Sequence, residues 1–82
     1  MSKVGIVYKV YPKEGEMDNA RENIKKEYAP ASIESEDVAF GIKVLKVFFK
    51  FDDSDPNMQD MEDKLKKIDG VSEVEVSEES LL

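Results

Sequence analysis

Asp53-Ser54-Asp55-Pro56-Asn57 presents side-chain oxygens at close spacing, the donor type that a hard cation such as calcium takes. A helix-flanked calcium loop also needs glycine at its sixth position and a bidentate glutamate at its twelfth. Counted from Asp53, those positions hold Met58 and Lys64, and Pro56 falls inside the loop. The same residues suit a helix start, with Asp55 as N-cap and Pro56 at the first helical position. Histidine and cysteine are absent, which excludes imidazole acid-base work, serine-histidine pairing and thiolate nucleophiles or ligands. No phosphate-cradling G-x-x-x-x-G-K-[ST] and no dinucleotide-binding G-x-G-x-x-G occurs. Carboxylates are plentiful, but nothing in their spacing gathers two into a cleft, so they read as solvated surface. Acid catalysis by carboxylates is the one enzymatic option these residues leave, behind the solvated surface, and no metal site and no cofactor are expected.

Phe40 carries a different kind of chemistry. Ala39-Phe40-Gly41 sits just ahead of Leu45-Lys46-Val47-Phe48-Phe49-Lys50-Phe51, whose alternate residues Leu45, Val47, Phe49 and Phe51 form one hydrophobic face. Phe40 falls before that packed register begins. Two readings stand side by side: an aromatic closing the margin of a small core, or an outward anchor for a binding partner. In the second, the following strand holds the ring rigid and Gly41 allows close backbone approach.

The elements that must position this segment follow from periodicity. Val4 to Tyr11 is a strand with Val4, Ile6, Tyr8 and Val10 on one face, stopped by Pro12. Asp18 to Tyr28 is a helix, capped by Asp18, striped by Met17, Ala20, Ile24 and Tyr28, and closed by Pro30. Ala31 to Val38 is a charged strand suited to a sheet edge. Ile42 to Phe51 is the central strand, with Lys46 and Lys50 interrupting its second face. The second helix carries Met58, Met61, Leu65 and Ile68 inward and ends at Gly70, placed for a left-handed C-cap. Val71 to Val76 is the last strand, and residues 77–82 read as a polar tail. The order βαββαβ predicts an α+β fold, the ferredoxin-like sandwich, with a four-stranded antiparallel sheet and both helices on one face.

Composition sets the outer limits. The 82 residues make a single domain, 1–82, with 19 acidic against 12 basic side chains and a net charge of -7. That sign disfavours direct nucleic-acid binding, and Arg21 is the one arginine available for bidentate phosphate contact. No apolar run approaches the length of a membrane span, and the opening residues lack a signal peptide's pattern. A cytoplasmic protein without membrane contact is expected.

Val38-Ala39-Phe40-Gly41-Ile42-Lys43-Val44-Leu45 resembles the archaeal translation elongation factor 1-beta family, the exchange domain shared with its eukaryotic counterpart. The likeness extends to the opening strand Val4–Tyr11, the helix after Asp18 and the ending Gly70-Val71-Ser72-Glu73-Val74-Glu75-Val76. It implies the same sandwich fold, binding to the GTPase elongation factor 1-alpha and faster release of its GDP. In that family the aromatic of the Phe-Gly loop wedges into the partner's nucleotide domain, a role that falls here on Phe40, with Gly41 shaping the loop and Ala39 expected among the partner-binding residues. Eukaryotic members place a next-to-last lysine near the partner's Mg²⁺. Here that position is Leu81, and no basic residue follows Lys67. Either the wedge suffices without that cation, or Lys43 or another group compensates; Leu81 and Leu82 are read as apolar contacts in its place. The alternative is a ferredoxin-like module that senses a small ligand or binds protein without exchange activity. An acylphosphatase-like hydrolase would want its arginine on a phosphate-cradling loop, whereas Arg21 falls on a helix.

Overall fold

Residues 2–82 are described by a computed structural model, the side chain of Ala39 excepted. The elements are β1 (Lys3–Pro12), α1 (Met17–Tyr28), β2 (Ser32–Asp37), a 3-10 turn (Ala39–Gly41), β3 (Lys43–Asp52), α2 (Asn57–Lys66) and β4 (Val71–Leu81). The strands form one sheet in the order β2-β3-β1-β4, every neighbour antiparallel. This is the expected ferredoxin-like sandwich.

Side-chain alternation builds the core. Val4, Ile6, Tyr8 and Val10 stand opposite Phe51, Phe49, Val47 and Leu45 across the central pair, and all are buried. Ala20 and Ile24 of α1, and Met61 and Leu65 of α2, close over that one face. The rings of Tyr8 and Phe49 meet edge to face at 5.8 Å, and Phe49 stacks on Phe51 at 5.7 Å. The opposite face is open and mixed. There the Tyr11 hydroxyl donates to Glu75 Oε1 at 2.9 Å, which raises the phenol's pKa, and Lys46 Nζ lies 3.5 Å from Glu36 Oε2.

Burial, aided by the carboxylates of Glu62 and Glu79, pushes the Tyr8 phenol up to about 12. A phenol that ionises later in the folded chain than in the unfolded one leaves stability untouched below pH 10. Above pH 10 the unfolded state sheds its proton first, so stability falls as pH rises towards 12. Denaturant titrations across that window should therefore show a steeper loss for the natural chain than for Tyr8→Phe.

Several boundaries differ from expectation, each for a local reason. The N-cap of α1 is Glu16 and not Asp18, and it makes no side-chain cap. Glu16 N–H donates to Lys13 O at 2.9 Å and Ala20 N–H to Glu16 O at 2.8 Å, so the helix starts straight out of the turn. Asp18 lies in the first turn, where its charge still suits the helix dipole. At α2 the helix begins at Asn57, one residue later than expected, but Asp55 Oδ1 accepts the Asn57 N–H at 2.9 Å, as a cap should.

Gly70 is left-handed, with φ +95°, but it is not the C-cap of α2. That helix closes through tight right-handed turns, with Lys67 N–H on Lys64 O and Ile68 N–H on Leu65 O, which carry Ile68 inward to the core. Gly70 instead turns the chain into β4, where a Cβ would lie 3.3 Å from the Ala20 backbone nitrogen. Gly70→Ala should cost about 2 kcal/mol from the left-handed backbone alone, read as a lower denaturation midpoint.

Residues 77–82 also differ from expectation. They are not a tail: β4 runs to Leu81, which pairs with Val4, and Leu82 N–H donates to Lys3 O at 2.8 Å. Apolar alternation ends at Val76, but the free backbone of β1 pairs with whatever sequence follows. The register shifts twice: Ser72 is skipped between Val71 opposite Pro12 and Glu73 opposite Tyr11, and Val76 opposite Tyr8 is followed by Glu78 opposite Val7, leaving Ser77 as a bulge.

Candidate partner-binding site

β2 and β3 are joined by a short hairpin loop. Asp37 and Lys43 form the last strand pair, and Val38 N–H donates to Ile42 O at 2.7 Å, closing the loop behind its tip. Phe40 and Gly41 occupy that tip with φ of +64° and +74°. Two successive left-handed residues turn the chain sharply, and glycine adopts that conformation freely. Phenylalanine does not: its Cβ crowds a neighbouring carbonyl, at about 1–2 kcal/mol. Held this way, the ring is 98% exposed. Phe40 contributes nothing to its own core, so the reading as a core-margin aromatic falls away.

The surroundings extend the apolar tip. Ile42 is 53% exposed, and beside it lies a concavity of about 490 Å³ lined by Pro12, Lys13, Gly15, Met17, Ile42 and Lys43. Lys43 is exposed at the start of β3, next to the tip. The backbone of Ala39 is part of the turn, while its side chain lies outside the described residues. Sequence reasoning missed Ile42, which it assigned to the packed central strand. The available signal was position: Ile42 is out of register with Leu45 and Val47, and although Val44 on its own side is buried, Ile42 falls one residue before β3, at the hairpin.

Leu81 and Leu82 do not join this group. Both are exposed, but Leu81 pairs with Val4 at the start of β1, whereas the hairpin lies beyond the other end of that strand. Seven strand steps separate Val4 from Tyr11, about 23 Å. Leu82 turns towards the open face, near Phe48: a Cβ on Gly5 would lie 3.2 Å from its Cδ1 and 2.8 Å from Phe48 Cε1. The six residues expected to bind a partner therefore mark two ends of the sheet.

The Asp53–Asn57 run is occupied by turn and cap bonds, with Asp55 N–H on Asp52 O and Asp55 Oδ1 on Asn57 N–H. Among the described residues, no three His, Cys, Asp or Glu side chains are grouped to hold a metal ion. None of the described helices is long and apolar enough to cross a membrane. What the hairpin offers is an apolar contact on a stiff support.

The EF-1 guanine nucleotide exchange domain matches residues 5–82, a span that includes the whole hairpin and all of β4. The chain belongs to that family. Among its relatives, an elongation factor 1-beta of Aeropyrum pernix is 36% identical, with 93% of this chain and 92% of the relative aligned. One of Ignicoccus hospitalis is 37% identical over 93% of this chain and 88% of its own length. A third, from Pyrobaculum neutrophilum, is 30% identical over 92% and 89%.

Proposed function

We infer that this protein is a guanine nucleotide exchange factor for the translation GTPase elongation factor 1-alpha, promoting GDP release so that GTP can reload. The observation that carries this reading is Phe40, an almost fully exposed ring on a left-handed hairpin tip, inside a chain of the exchange-domain family. The factor makes and breaks no covalent bond. It acts by differential affinity: a protein that binds the nucleotide-free GTPase better than its GDP form must weaken GDP by the same factor.

The wedge supplies that difference. Burying one phenylalanine side chain contributes about 2–3 kcal/mol, which is about 30- to 150-fold in affinity if the pocket opens only when GDP leaves. The left-handed backbone matters because it points the Cα–Cβ bond of Phe40 outward from the tip before docking, so the loop need not rearrange to present the ring. Ile42 and Lys43 extend the contact around the ring, the first by apolar area and the second as a cation beside the tip. Leu81 and Leu82, at the far end of the sheet, belong to a separate contact if they touch the same partner.

The direct test is release of fluorescent GDP from purified elongation factor 1-alpha of the same source. Addition of this protein should speed release in proportion to its concentration before saturating. A release rate indifferent to the protein would remove the reading.

A further inference from the structure

A second loop stands beside the hairpin at the same end of the sheet, the turn that leads from β1 into α1. Together the two enclose the concavity of about 490 Å³. Pro12, Met17 and Ile42 give it an apolar lining, and the exposed Lys13, Glu14 and Lys43 complete it. Both loops are shaped before anything docks. Lys13 N–H donates to Gly70 O at 2.8 Å, which ties the turn to the residue before β4, and Glu16 N–H closes it on Lys13 O at 2.9 Å. Gly15 bends the turn with φ +77°. On the other side the bond from Val38 N–H to Ile42 O holds the hairpin. The backbone therefore need not rearrange to receive a partner here.

Two observations indicate what covers it. The first is continuity: Gly41 and Ile42, the residues after Phe40, line the concavity, so a protein surface seated on the exposed ring meets it directly. The second is charge. The sequence has 19 acidic and 12 basic residues, yet two lysines and one carboxylate line this concavity. Lys3, Lys46 and Lys66 lie within ion-pair distance of carboxylates, whereas Lys13 and Lys43 form no ion pair among the described residues. That holds for Lys43 even though Asp37 stands opposite it in the strand register.

We propose that the concavity takes an apolar side chain with a neighbouring carboxylate from the same GTPase that Phe40 engages. The apolar group would lie against Pro12, Met17 and Ile42, and the carboxylate between Lys13 and Lys43. The partner's identity rests on the exchange-factor reading; the chemistry of the contact rests on the concavity itself. A second copy of this chain is a poorer occupant, because two chains of net charge -7 repel on approach. The β1–α1 turn then sets affinity and orientation in every nucleotide state, while the ring supplies the difference between states. Contacts made equally in two states change binding without changing which state is favoured.

The test is fluorescence anisotropy of the whole labelled chain with purified elongation factor 1-alpha of the same source, in its GDP-bound and nucleotide-free forms, at low and high salt. Lys13→Ala should raise Kd about threefold for both forms and reduce the salt dependence of binding. Lys13→Glu should raise both about tenfold, since it sets like charges together. Gly15→Asn adds a neutral side chain where a Cβ meets nothing of this chain within 4 Å, and asparagine accepts the left-handed backbone. It should weaken both complexes while its Tm stays near that of the natural chain. Phe40→Ala should instead weaken the nucleotide-free complex more than the GDP complex. Natural affinity in Lys13→Glu and Gly15→Asn would overturn the proposal and leave the exchange reading standing. Binding by the natural chain without faster GDP release would overturn the exchange reading, and the same Kd values would still decide the concavity. Absence of binding to either form would overturn both. Self-association of the natural chain that Lys13→Glu abolishes would replace the GTPase with a second copy.

Discussion

Phe40→Ala should lower the stimulated rate of GDP release about 30-fold, the kinetic equivalent of losing about 2 kcal/mol of anchor contact. Its thermal unfolding should match that of the natural chain, because a ring 98% exposed packs against nothing that unfolding would release. Phe40→Gly sharpens the separation. Glycine keeps the hairpin turn while removing both the ring and the crowding of a Cβ at φ +64°. That variant should unfold at the same temperature as the natural chain or slightly above it, yet promote exchange no better than Phe40→Ala. The measurement is fluorescent-GDP release alongside a melting curve for each variant. Retention of full exchange by both variants would strip Phe40 of its role, whatever the family. Ile42→Ser tests the rim of the same contact, with a smaller loss expected because Ile42 is already half covered.

The separation of stability from activity at Phe40 explains what could be read from the sequence. Leu45, Val47, Phe49 and Phe51 repeat at the strand period and need no further information to be assigned inward. The element order then leaves few topologies, because crossovers are right-handed and connections short. Phe40 was legible in another way: it fell outside that register, beside a glycine, where packing made no demand for an aromatic. What stayed hidden was set by backbone pairing and by tertiary reach. Residues 77–82 lack apolar alternation, so only the free hydrogen-bonding edge of β1 announces that they form a strand. The bulge at Ser77 has no residue-type signal, yet it decides which of Glu78 and Glu79 faces the helices. Gly70 was recognised as left-handed, but the extra turn that carries Ile68 inward moved it off the end of α2. Leu81 and Leu82 were grouped with Phe40 through resemblance, and strand register alone places them at the other end of the sheet.

Leu65→Ala should have the opposite signature from the Phe40 variants. Leu65 is fully buried on α2 and belongs to the cluster that joins both helices to the sheet. Removing three carbons from such a site costs about 3 kcal/mol through lost transfer energy and the cavity left behind. A domain of this size has a total stability of about 4–12 kcal/mol, so the loss is a large fraction of the whole. The melting temperature should drop by about 12–24 °C, with a lower denaturant midpoint and an unchanged slope. At temperatures well below that new midpoint the hairpin is still closed by the Val38–Ile42 bond and the Asp37–Lys43 pair, neither of which involves α2. Exchange at those temperatures should therefore approach that of the natural chain. If Leu65→Ala instead lost exchange while still fully folded, the ring's position would depend on the helix layer, and the hairpin could not be the self-sufficient support that the wedge requires.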